Sequence, residues 1–171
     1  MLAQLLDLPG FHVDHLTIDG QQITITASPE APSAPCPSCG TLSSRIHCTY
    51  TRFLRDLPWG SRMLQLSLSL RRFRCRAEHC PRQTFVERLP DFAPSYARTT
   101  TRFHQRQQRL GLALGGEGGA RTLPQVGLGT SPDTILRRIR SAPLPIAPAP
   151  RVVGVDDWVR PVPSKQAAAW G

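Results

Sequence analysis

Two close cysteine pairs do most to limit what this chain can fold into. Cys36 and Cys39 flank a proline and a serine in the stretch CPSCG, and Cys75 and Cys80 end the stretch CRAEHC. A zinc ion accepts four thiolates in a tetrahedron and each short turn can present two, so the pairs predict one zinc site around a β-rich insert. A site whose four positions are all filled by protein has no place for a substrate water. Its metal is expected to be structural, holding a small module together. His79 can replace Cys80 as the fourth ligand, and His47 is a more remote substitute. Cys48, alone inside a strand-like run, reads as a small buried apolar side chain.

The patterning around the cysteines is β-like at first and helical later. Residues 12–28, HVDHLTIDGQQITITAS, predict a hairpin turning at Asp19 and Gly20. Residues 63–75 alternate Leu64, Leu66, Leu68 and Leu70 with polar partners, as a half-buried strand does, before running through three arginines into Cys75. QTFVERL is a weaker strand candidate, and the prolines of LPDFAPSYA place a boundary near residue 90. From Tyr96 to Leu114 a helix is expected, with Phe103, Leu110, Ala113 and Leu114 on its inner face and a stop at Gly115 and Gly116. A short, poorly formed helix and a turn through Gly127 and Gly129 follow. Ser131, Pro132 and Asp133 then supply the N-cap, first position and first-turn acid of a second helix, which Pro143 and Pro145 end. SAPLPIAPAP is a semi-rigid linker, and RVVGVDDW reads as a fresh strand.

The charge is uneven. The chain has a formal net charge of +9, and twenty of its 21 basic residues are arginine, Lys165 being the exception. Residues 1–44 carry four acids and no base, whereas 45–76 carry eight arginines against one aspartate and 91–140 eight against three acids. Arginine forks suit phosphates and guanine edges, so two such blocks point to nucleic acid. Helix, glycine turn and capped helix resemble a helix-turn-helix. In that reading Ile135, Leu136 and Ile139 pack inward while Ser131, Thr134, Arg137, Arg138 and Arg140 face DNA. An ordinary amphipathic helix with a solvated arginine face fits the same pattern. Arg71, Arg72 and Arg74, beside the second cysteine pair, are candidates to grip phosphates or to keep a strand edge soluble.

In order along the chain, CPSCG, RDLPWG, RRFRCRAEHCPRQTFVERL, SPDTILRRIR and VVGVDDW resemble the insertion-sequence transposases of the ISL-three family. The resemblance implies an α+β chain in three parts. These are a zinc-ribbon-like module over residues 1–90, a helix-turn-helix domain over 91–142, and over 143–171 a linker with the first strand of a ribonuclease-H-like catalytic domain. It also implies double-stranded DNA with terminal inverted repeats as partner, room for a homodimer, and a bacterial, cytoplasmic, DNA-associated setting. No apolar run approaches the roughly eighteen residues of a membrane span, and the start of the chain lacks a basic leader, so no membrane is expected. No small-molecule substrate is expected either.

Family catalysis uses three acids that hold two divalent metals, and the first of them carries over to Asp156. No acid follows Asp157, and the chain closes with VRPVPSKQAAAWG. One carboxylate cannot build that site, so a truncated copy without strand cleavage is expected, Mg²⁺ belonging only to a full catalytic domain. A stand-alone zinc-dependent regulator that blocks transposition, and a zinc-ribbon scaffold for proteins, are the alternatives.

Overall fold

A computed structural model describes residues 6–143 of the chain. The linker, Asp156 and its strand lie outside the described residues. The hairpin at the start forms as expected, from β1 (Phe11–Asp19) and β2 (Gln22–Pro29), with Gly20 in the left-handed region at the turn. Two short strands, β3 (Ala34–Pro35) and β4 (Leu42–Ser43), then pair with each other around the first cysteines. A long hairpin follows, β5 (Ile46–Trp59) and β6 (Arg62–Arg74), and then β7 (Thr84–Val86). The main sheet runs β1-β2-β6-β5, with β7 paired to the far end of β6. The β2–β6 contact is parallel, Ile25 opposite Leu66, while its other pairings are antiparallel.

Period-two alternation sends Ile23, Ile25, Ala27, Leu64, Leu66, Leu68 and Leu70 to one face, all buried. Leu6, Leu8 and Phe11 from the start of the chain and Ala93 from the segment after β7 cover that face, the Phe11 and Phe92 rings lying 5.4 Å apart. The opposite face is polar, carrying Thr24, Thr26, Gln65, Ser67 and Ser69. Cys48 differs from expectation. It pairs with Arg72, two rungs beyond the last core pair of Tyr50 and Leu70, and is exposed because the apolar layer has ended there.

The helical part has its own core of Phe103, Leu123, Leu128 and Ile135. Helix α1 (Thr101–Thr122) is capped by Thr100, whose side chain accepts from the Phe103 N–H, and so starts later than expected. Tyr96 lies outside it with φ at 63°. At Gly115 the backbone leaves helical geometry, with φ 71° and ψ −179°, but the helix resumes beyond it. The inner face also differs: Ala113 and Leu114 are exposed, and Phe103, Gln107, Gly111 and Gly119 are buried. The reason is close packing against α2 (Pro132–Arg140). A Cβ on Gly111 would stand 2.6 Å from Cγ2 of Ile135, and one on Gly116 2.9 Å from Cγ of Leu136. A 3₁₀ turn, Leu123–Val126, and Gly127 in the left-handed conformation join the helices.

Sheet and helices meet at Asp56, whose side chain is fully buried. Its carboxylate accepts from the Thr100 hydroxyl at 2.6 Å, from Arg102 Nε at 2.8 Å, and from Arg102 Nη2. Arg102 also donates to the Leu6 carbonyl and to Asp7, tying the start of the chain to the same joint. Among the described residues no helix is long and apolar enough to cross a membrane.

Candidate metal centre and basic surfaces

The two cysteine turns are shaped by their backbones. In the first, the Cys36 N–H donates to the Thr41 carbonyl and the Gly40 N–H to the Cys36 carbonyl, with Gly40 in the left-handed region at φ 74°. In the second, Cys75 N–H donates to Gln83 and Cys80 N–H to Ala77. Arg82 Nε reaches across to the Ser38 hydroxyl at 2.9 Å and braces one turn against the other. Beneath them Phe73 and Phe85 stack at 5.8 Å and bury Ala34 and Cys36.

This arrangement brings Sγ of Cys36, Cys39, Cys75 and Cys80 within 4.8 Å of one another. Cys36 and Cys80 lie 3.8 Å apart and Cys39 and Cys75 3.6 Å, too far for a disulfide. Zinc–sulfur bonds of about 2.3 Å in a tetrahedron place sulfurs about 3.8 Å apart, so the donor set fits zinc in chemistry and in size. His79 and His47 are exposed and do not belong to the cluster, and neither does Cys48.

The electrostatics favour a cation. Hydrogen bonds from the Thr41 hydroxyl and backbone pull the Cys39 thiol down to about 6. At Cys80 the Arg82 backbone favours the thiolate, but burial and the other three sulfurs outweigh it and push the thiol up to about 12. Four crowded sulfurs cannot all ionise beside one another without a positive charge between them.

The arginines beside the cluster divide into two kinds. Arg71 is held: it makes a bidentate pair with Glu87 at 2.7 and 3.1 Å, donates to the Ala31 carbonyl, and lies 5.1 Å from the centre of the Phe73 ring. Arg72 and Arg74 are exposed. On α2, Ser131 caps the helix by accepting from the Thr134 N–H, and Arg137 donates to the Thr134 hydroxyl at 3.2 Å. Arg137 and Arg140 are exposed, whereas Arg138 is half-buried against α1, where Gln108 donates to its carbonyl. Ile135 points inward and Ile139 partly so, but Leu136 is 37% exposed.

The residues that support the cysteines were not singled out in the sequence. Phe73 and Phe85 were open to it, since Phe73 falls on the opposite parity from the leucines of β6 and must bury itself against something else.

Compared with known families, residues 32–80 match the zinc-finger of transposase IS204/IS1001/IS1096/IS1165. That segment holds all four clustered cysteines and spans well under half of the chain. No curated protein and no solved structure matches the chain. The part of the protein that carries the sulfur cluster is therefore similar to a transposase zinc ribbon, within a mixed α+β structure.

Proposed function

We propose that this chain is the DNA-binding N-terminal part of an ISL-three type transposase. The observation that carries the reading is the four-sulfur cluster inside the segment similar to those transposases' zinc finger. Cys36, Cys39, Cys75 and Cys80 hold one zinc ion, which closes the ribbon and performs no chemistry. Helix α1, the Gly127 turn and α2 act as a helix-turn-helix over residues 91–142, with α2 presented to the major groove. Ser131 and Thr134 lie at its leading end, and Arg137 and Arg140 supply base or phosphate contacts. Arg138, half-buried against α1, reaches DNA only at its margin. Arg72 and Arg74 contact phosphates, and Arg71 positions their strand through Glu87.

The target is double-stranded DNA at the element's inverted ends, bound by one chain or by a homodimer. Strand cleavage is not assigned to these 171 residues, because Asp156 alone cannot hold a pair of metal ions. Selection of duplexes from a random pool tests the reading. A shared sequence should emerge, its enrichment should vanish for an Arg137→Ala/Arg140→Ala variant, and supercoiled plasmid should stay intact with Mg²⁺ or Mn²⁺. No enrichment, or metal-dependent nicking, would reject it.

A further inference from the structure

A groove of about 1140 Å³ lies between β5, the end of β6 and residues 88–98. Its lining includes Arg52, Arg55, Arg72, Arg82, Arg88 and Arg98. Its one carboxylate is Glu87, which is already neutralised by Arg71. Arginines scattered for solubility alternate with acids, and six gathered around one hollow do not.

The groove is also firm. Arg52 donates to the Pro94 and Ala97 carbonyls at 2.6 and 2.9 Å, fixing the outer wall to β5. The Arg55 N–H donates to the Arg98 carbonyl, so the same wall is bonded to the strand edge. Arg72, Arg88 and Arg98 are exposed, and their side chains make no hydrogen bond or ion pair among the described residues. At one end Arg55 lies 5.3 Å from the centre of the Phe103 ring in the first turn of α1. Arg138 of α2 has its pKa lowered by burial first, then by Arg137 and Arg55, so the Arg55 end of the groove lies near α2.

We infer that this groove is a second DNA contact, in which Arg72, Arg88 and Arg98 grip the phosphate backbone beside the stretch that α2 reads. The inference rests on the DNA-binding reading above and deepens it, extending the phosphate contact at Arg72 into a built groove that brings in Arg88 and Arg98. The groove contributes affinity without sequence information, because phosphates are the same at every step.

The test uses the full zinc-loaded chain and fluorescence anisotropy with a labelled random-sequence duplex of about 30 base pairs, titrated between about 50 and 200 mM salt. Arg72→Ala/Arg88→Ala/Arg98→Ala should flatten the slope of log affinity against log salt by about 2 to 3. The loss of affinity across that salt range should then be about fortyfold smaller than in the wild type. The corresponding lysine triple variant should keep the slope, and zinc content and melting temperature report whether either variant folds. Unchanged slope in the alanine variant, with binding by the wild type, overturns the groove and leaves the reading of α2 standing. No binding by the wild type at low salt overturns both. Displacement of the duplex by poly-glutamate as readily as by unlabelled duplex overturns the inference in favour of an acidic peptide.

Discussion

Cys80 is one corner of the sulfur cluster, and replacing it leaves three thiols that must find another donor. Its neighbour His79 is exposed and outside the cluster, so it is not positioned to step in. Zinc measured by elemental analysis should fall from about one per chain to a small fraction in Cys80→Ser, and stay at about one in His79→Ala and Cys48→Ser. Loss of metal in His79→Ala would move the fourth ligand to the imidazole. A second residue with a large expected effect is Asp56, since removing it leaves the Arg102 guanidinium facing a joint built for a carboxylate. The side chain of Arg102 is 26% exposed, so water offsets part of that loss. Asp56→Ala should cost about 3 kcal/mol in urea unfolding, the lower end for breaking such a pair. A change under about 0.5 kcal/mol would put the Asp56 pair in the class of weak surface ion pairs.

The elements differ in how much of them the sequence displays. The β1–β2 hairpin and β6 are carried by local alternation and a turn signal, and the α2 cap by Ser131, Pro132 and Asp133, so their positions follow from neighbours in the chain. Strand β5 was not read at all beyond the run holding Cys48. Its burial is uneven, with Leu54 and Asp56 buried between exposed residues, because its edge is covered by a distant segment through the Arg55–Thr99 bridge. The parallel β2–β6 register depends on contacts that local patterning does not encode. The metal cluster was legible because cysteine spacing is itself the constraint, whereas the arginine groove is made by tertiary proximity of residues 52 to 98. The inner face of α1 was read correctly at Phe103 and Leu110 but not at Ala113 and Leu114, because glycine carries no apolar signal, yet Gly111 and Gly119 let Ile135 approach. That packing sets up a contrast. Gly111→Ala gains about 1 kcal/mol of helix propensity but drives a Cβ into the buried, branched Ile135, and overpacking costs about 1 to 3 kcal/mol. A net loss of about 1 kcal/mol is expected there. At Gly118 a Cβ meets only Leu114 Cβ at 3.7 Å, so Gly118→Ala should stabilise by up to about 1 kcal/mol. Thermal melts of the two variants decide it, and stabilisation by both would mean that the helices can separate to make room.

Across the whole molecule, three apolar clusters share one chain but not one dependence on metal. The sheet core and the helical core contain no cysteine, whereas the third cluster is only Ala34, Cys36, Phe73 and Phe85 with Cys75 and Cys80 at its margin. Four buried side chains are too few to hold β3, β4, β7 and two turns against chain entropy, so that region needs the ion as its remaining source of order. The sheet core has its own supply, from Ile25, Leu66 and Leu68 with no exposed surface and the N-terminal segment locked over them through Arg102. Chelation should therefore split the amide-exchange pattern rather than lower it evenly. The Cys36, Gly40 and Cys75 amides and the β6–β7 rungs at Arg72 and Arg74 should lose protection, while Ile25, Leu66, Leu68 and the α1 interior keep it. Acid should act in the same direction as chelator, because the thiolates must be free of protons to hold metal and are reprotonated as pH falls. Even loss of protection throughout would show that the β5–β6 hairpin, which runs from the sheet core into the metal cluster, transmits the loss of zinc to the Asp56 joint. In that case the DNA contacts proposed for α2 would depend on the metal even though no cysteine of the cluster lies on that helix.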